Sequence, residues 1–166
     1  MPSMRLSWIT SSLAVALIIA GCGRSTVGTP QIATVIEVID GDTVDLSIAG
    51  DRQRVRLIGV DTPETKHPQK PIECYGPEAT SFVESLLPRG TEVRLERDAE
   101  ARDSYDRLLV YLYRKSDNIF INVELLRQGL AHVLTIEPNV AYFDKFVTAA
   151  RAAQSNRRGL WQACPG

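Results

Sequence analysis

The chain has 166 residues, of which 44% are hydrophobic and 23% charged, which is the composition of one globular domain and excludes a disordered or fibrous protein. Lys and Arg number 19 against 20 Asp and Glu, a net charge of −1. Any nucleic-acid partner must therefore be held by a local basic site and not by a positive field over the whole surface.

Residues 1–21 read as an export signal. Arg5 gives the start a positive charge without an acid, residues 6–19 are mostly apolar, and Ala20-Gly21 supplies small residues at a cut. The apolar run is too short for a spanning helix, which needs about 20 residues. Ile19-Ala20-Gly21-Cys22 resembles the lipobox of bacterial lipoproteins. It implies a lipidated Cys22, a tether over residues 22–30, and a protein attached to a membrane outside the cytoplasm. Removing residues 1–21 takes away Arg5 and no acid, which moves the net charge from −1 to −2. Three cysteines is an odd number, and lipidation of Cys22 leaves Cys74 and Cys164 as a pair. An oxidising compartment is expected to join them. The catalytic candidates include no cysteine, so the bridge is expected to act on stability and not on catalysis.

From residue 31 the pattern turns to short β-branched runs. Residues 32–39 read as a strand closed by the Asp40-Gly41 turn, and residues 43–48 alternate Val44, Leu46 and Ile48 against Thr43, Asp45 and Ser47. Ala49-Gly50-Asp51 turns into a third alternating strand over residues 52–58, so the three should form an antiparallel meander. Gly76-Pro77 opens a helix with Ala79, Phe82, Val83 and Leu86 on one face, stopped by Pro88 and Gly90. Residues 91–96 and 108–113 are two more strands. Asn122 is placed to cap a helix through 128, with Gly129 as its terminator. Residues 142–156 carry a helical apolar stripe ended by Gly159. Five strands and three helices in this order predict an α+β fold, a five-stranded OB-type barrel over residues 31–166, with a small α+β sandwich as the alternative.

Asp40-Gly41-Asp42-Thr43 puts carboxylates at a strand-to-strand turn, and Val60-Asp61-Thr62-Pro63-Glu64 puts two more just after a strand. Taken singly, these are ordinary turn chemistry. As a set, their hard oxygen donors suit Ca2+ or Mg2+, and no His or Cys cluster offers itself to zinc. Arg56 lies in the outward series of its strand and Arg107 starts the strand over 108–113. Either alone reads equally well as a solvated strand residue. Two guanidinium forks beside a divalent cation make a phosphodiester site, in which a carboxylate activates water for in-line attack.

These residues match a family. IDGDTV (39–44), VRLIGVDTPETKHP (55–68), YGPEA (75–79), DSYDRLLVY (103–111) and VELLRQGLA (123–131) resemble staphylococcal nuclease, the thermonuclease family, over residues 31–161. The resemblance implies an OB-fold barrel with three helices and a Ca2+-dependent nuclease that cleaves DNA and RNA to leave 3′-phosphates. By motif position, Asp42, Asp61 and the main-chain carbonyl of Thr62 correspond to the calcium ligands. Glu64 corresponds to the residue that orients or deprotonates water, Arg56 and Arg107 to the phosphate-binding arginines, and Tyr105 to the tyrosine bordering the phosphate pocket. A monomer is expected.

The chain also departs from the family. Ser104 replaces a phosphate-contacting lysine, Asp106 adds an acid beside Arg107, and Thr135 and Glu137 replace tyrosines of the nucleotide site. Base stacking on aromatics is worth about 1–3 kcal/mol per base, so these changes bear on affinity more than on chemistry. His67 and His132 read as surface residues, the second at a helix end. A non-catalytic OB module that binds nucleic acid or a protein is the competing class. Such modules lack the acidic and arginine set, whereas Asp42, Arg56, Asp61, Glu64 and Arg107 are all present here.

Overall fold

A computed structural model describes residues 31–66, 69 and 71–164. The signal, the tether, Cys22 and His67 lie outside the described residues. The elements in chain order are β1 (Gln31–Asp40), β2 (Thr43–Ile48), β3 (Asp51–Leu57), β4 (Val60–Asp61), α1 (Gly76–Leu86), β5 (Glu92–Glu96), β6 (Leu108–Arg114), α2 (Ile121–Arg127), β7 (His132–Val133), α3 (Phe143–Ser155) and α4 (Leu160–Ala163).

Five strands close into a barrel in the order β1-β2-β3-β6-β5, with β5 returning to β1. The first three form the antiparallel meander that their alternation predicts, and β3 meets β6 in parallel. Ala49 and Gly50, at φ 53° and 94°, take the left-handed pair of a two-residue hairpin between β2 and β3. This is the five-stranded OB-type barrel with three helices. It also carries two features too short for a periodicity to reveal: the β4–β7 ribbon and the single turn of α4. Among the described residues, no helix is long and apolar enough to cross a membrane.

The core runs from the barrel interior to the inner faces of the helices. Val44, Leu46, Val55, Leu57, Val93 and Leu112 fill the barrel, while Val83 of α1, Leu125 of α2 and Phe146 of α3 cover it. Tyr111 packs edge-on to Tyr142 at 4.6 Å and lies 6.0 Å from Phe146, which ties β6 to the third helix.

Several sequence expectations are corrected here. Asn122 does not cap α2; Phe120 holds that position and Asn122 is wholly buried. Its amide accepts the Leu112 N–H at 3.0 Å and donates to the Ile58 carbonyl at 2.8 Å, so it fastens α2 to the barrel. Asp45 falls in the polar series of β2, yet it is 2% exposed because Arg52 and Arg54 of the neighbouring strand close over its carboxylate. Their hydrogen bonds, Arg54's first, hold its pKa below the usual carboxylate value against the cost of burial. His132 does not end a helix but pairs with Asp61 in the β4–β7 ribbon, where its ring lies 5.0 Å from that of Trp161.

Candidate active site

Three chain segments meet at one edge of the barrel: the β1–β2 turn, the stretch from the end of β3 through β4 to α1, and the turn before β6. The antiparallel β1–β2 hairpin leaves Asp42 in its tight turn, between the paired residues Asp40 and Thr43. Asp42 is buried and accepts the Thr43 hydroxyl and the Thr62 N–H, both at 3.0 Å. That second bond crosslinks the hairpin turn to the segment following β4.

Arg56, at the end of β3, is 6% exposed. The outward position expected from its alternation is corrected, because β4 folds back over it. Its Nη1 donates to the carbonyls of Leu57 at 2.8 Å and Val60 at 2.7 Å. Its Nη2 reaches Asp42 at 3.1 Å and Asp61 at 3.0 Å. One guanidinium thus fixes the reverse turn of the backbone and draws together the two aspartates expected to hold metal. Partial burial raises the pKa of Asp61, and Arg56 opposes that shift while Asp42 adds to it.

These donors fit a hard cation. Asp42, Asp61 and the Thr62 carbonyl are all oxygen, and the Thr62 hydroxyl is a buried polar atom with no hydrogen-bond partner in the described structure. Among the described residues, no three His, Cys, Asp or Glu side chains form a cluster, so water would have to complete the shell of a bound ion. The all-oxygen donor set suits Ca2+ or Mg2+ better than zinc, and Arg56 offsets part of the aspartate charge.

Glu64, Tyr105 and Arg107 line one cavity of about 400 Å3, together with Asp40, Arg54 and Lys66. Arg107 enters from the turn before β6, which β3–β6 pairing places beside the end of β3. Asp103 builds that turn. Its carboxylate accepts the N–H groups of Tyr105 at 3.0 Å and Arg107 at 2.9 Å, and the Arg107 Nε at 2.7 Å. Burial pushes the Asp103 pKa up, but these bonds outweigh it and the net shift is downward. The contact uses one edge of the Arg107 fork. Tyr105 is 80% exposed, with its ring 5.4 Å from the Arg107 guanidinium. Asp106, the added acid, pairs with Arg102 at 3.5 Å.

Glu64 lies in the loop between β4 and α1, a loop that packs tightly on Gly76. A Cβ at Gly76 would stand 2.6 Å from the Thr65 methyl and 2.8 Å from the Pro63 carbonyl, so the start of α1 admits only glycine without displacement. The Glu64 carboxylate accepts the Lys66 N–H at 2.6 Å and shares a hydrogen bond with Asp40. Burial raises the Asp40 pKa first of all; the Gly41 N–H opposes this, and the contact with Glu64 adds to it.

The predicted residues therefore fall into two adjoining groups. Glu64, Tyr105 and Arg107 share the larger cavity. Asp61 and Thr62 border a smaller hollow of about 160 Å3 with Glu73, His132 and the cysteines, and buried Arg56 and Asp42 lie against Asp61. Cys74 and Cys164 are joined in a disulfide, their Cα atoms 5.9 Å apart. The sequence counts Asp40 only among the carboxylates that suit a cation, and it gives Asp103 and Glu73 no role. The first two stand inside quoted motifs, and Glu73 adjoins a paired cysteine, but only the folded contacts show what each one holds.

Comparisons with known proteins point the same way. The family model described as Staphylococcal nuclease homologue matches residues 54–163. The chain is 38% identical over 131 residues to the thermonuclease of Staphylococcus hyicus, covering 79% of this chain and 76% of that protein. It is 42% identical over 125 residues to the thermonuclease of Staphylococcus intermedius, covering 75% and 73%. It is 38% identical over 130 residues to the endonuclease YncB of Bacillus subtilis, covering 77% of this chain and 60% of that protein. The chain belongs to the staphylococcal nuclease homologue family.

Proposed function

We propose that this protein is a nuclease that hydrolyses phosphodiester bonds in DNA and RNA, requires Ca2+, leaves 3′-phosphates and acts as a monomer. The observation that carries the reading is the convergence of Glu64, Tyr105 and Arg107 on one cavity beside the Arg56-held pair of Asp42 and Asp61.

Asp42, Asp61 and the Thr62 carbonyl would hold the ion, which supplies polarisation of the phosphoryl group when bound. Glu64 takes a proton from the attacking water onto its carboxylate oxygen. The water oxygen bonds to phosphorus in line with the bond that breaks, and the 5′-oxygen leaves on the downstream fragment with the electron pair of that bond, taking a proton from solvent to become a 5′-hydroxyl. Arg107 donates to the phosphoryl oxygens as charge builds on them, with Asp103 keeping its fork in place. Tyr105, stacked near that guanidinium, borders the phosphate. Arg56 is so fully engaged by carbonyls and aspartates that its first contribution is to hold the acidic pair; it meets phosphate only through what those contacts leave.

The test is hydrolysis of defined DNA and RNA strands with Ca2+ and with saturating chelator, with the product ends identified. Cleavage only with Ca2+ and ending in 3′-phosphates is expected. Unchanged activity under chelator removes the metal from the mechanism.

The proposal extends to location: Cys22 carries lipid and holds the enzyme on the outer side of a membrane. The support is the lipobox-like Ile19–Cys22 sequence after an apolar run. One acyl chain gives only marginal attachment, so stable anchoring implies more than one. Cys22→Ser should release the protein from the membrane fraction or leave it unprocessed. Retention of that variant in the membrane at the mature mass would count against the anchor.

A further inference from the structure

We propose that Glu73, kept in place by the Cys74–Cys164 disulfide, is the positioning residue for Glu64, so that the bridge sets the catalytic rate as well as the stability of the fold. The inference rests on the nuclease reading and concerns what holds the carboxylate on which that reading depends.

Glu64 stands after β4 in residues 62–66, which form neither helix nor strand. Both of its main-chain polar groups are bound by one residue. Its N–H donates to Glu73 Oε2 at 3.0 Å, and its carbonyl accepts the Glu73 N–H at 2.9 Å. These two bonds close the loop from 64 to 73 at its neck. Glu73 is itself exposed, and a hydrogen bond in water is weak unless its partners are already in place.

Placement comes from the next residue. Cys74 is bonded to Cys164 at the end of α4. That turn is fixed to the body of the protein by the Leu160 N–H on the Gly129 carbonyl at 2.9 Å and by Trp161 against His132. The Glu73 carbonyl also accepts the Gly76 N–H at 3.1 Å at the start of α1. Glu73 is therefore followed directly by two ties, one of them covalent, and passes their restraint to Glu64. A general base works only within hydrogen-bond reach of its proton, and a shift of about 1 Å can cost on the order of a hundredfold in rate.

The experiment compares wild type, Glu73→Ala, Glu73→Gln, the Cys74→Ser/Cys164→Ser pair, and wild type reduced and alkylated. In the reduction, a dithiol gives two electrons and two protons to the S–S bond, yielding two thiols and its own cyclic disulfide. Each form is assayed on a single-stranded oligonucleotide with Ca2+, at a temperature where circular dichroism shows it folded. Glu73→Ala and loss of the bridge should each lower kcat roughly 10- to 100-fold, with KM within about twofold. Combined, they should cost little more than either alone, because both act through one placement. Glu73→Gln keeps an acceptor oxygen and should recover most of the loss. A folded, bridge-free protein with wild-type kcat overturns the proposal, as does a loss confined to KM.

Hydrogen exchange at the Glu64 amide provides a readout that holds whatever the chain cleaves. Its exchange should be slow in the oxidised wild type and fast in both Glu73→Ala and the reduced protein. Equal exchange in all three overturns the positioning role, whereas a wild type that cleaves no nucleic acid but shows the expected protection overturns only the nuclease reading.

Discussion

Glu64→Gln is expected to lower turnover by about 10²–10⁴-fold, the usual scale of general-base assistance, while substrate binding changes little. The replacement keeps the side chain's size and still offers an oxygen to the Lys66 N–H, so the loop has no reason to move. What it loses is the capacity to take a proton. Arg107→Ala should be comparably damaging for a different reason. It leaves the charge on the phosphoryl oxygens without its donor and leaves Asp103 without the guanidinium it holds at 2.7 Å. Steady-state and single-turnover rates on one oligonucleotide check both variants, and near-wild-type turnover in either would take that residue out of the mechanism.

The barrel was legible because its strands carry period-2 patterns between turn dipeptides, and the helices because Ala79, Val83 and Phe146 fall on apolar stripes. The misreadings share one cause. Alternation places Arg56 on the same side as Arg52 and Arg54, and it cannot show that β4 turns back to cover only the last of the three. It makes Asp45 a surface position, although two arginines from the next strand bury its carboxylate. It makes Asn122 a cap, although the barrel presents backbone groups that only a buried amide there can satisfy. Each outcome depends on a neighbour remote in sequence. The site divides along the same line. Residue types within short motifs single out Asp42, Asp61, Glu64 and Arg107 as candidates, while the contacts of Arg107 with Asp103 and of Glu64 with Glu73 run across turns whose shape the fold decides.

Breaking the Cys74–Cys164 bridge is expected to cost the fold about 4–5 kcal/mol in the chain-entropy model, less any strain the bond carries. The bridge joins residues 90 apart, so it closes a long loop and removes much of the freedom of the unfolded chain. For a domain of this size, that loss corresponds to a drop in Tm of roughly 10–20 °C. The native state gives a second reason to expect a large effect. Besides the bridge, the C-terminal turn is held by buried Leu160, whose N–H donates to the Gly129 carbonyl, and by Trp161 against His132, but α4 spans only four residues and the Trp161 indole N–H has no partner in the described structure. A turn so short is marginal without tertiary support, so the reduced chain should fray from α4 inward before the barrel gives way. The measurement is a thermal melt of the same preparation before and after reduction, with free thiols counted in the unreduced, denatured protein. An unchanged Tm, or two reactive thiols beyond Cys22, would contradict a stabilising bridge. A lower Tm with amide protection lost first over residues 160–163 is the expected result, because the bond holds that turn more than it holds the closed barrel.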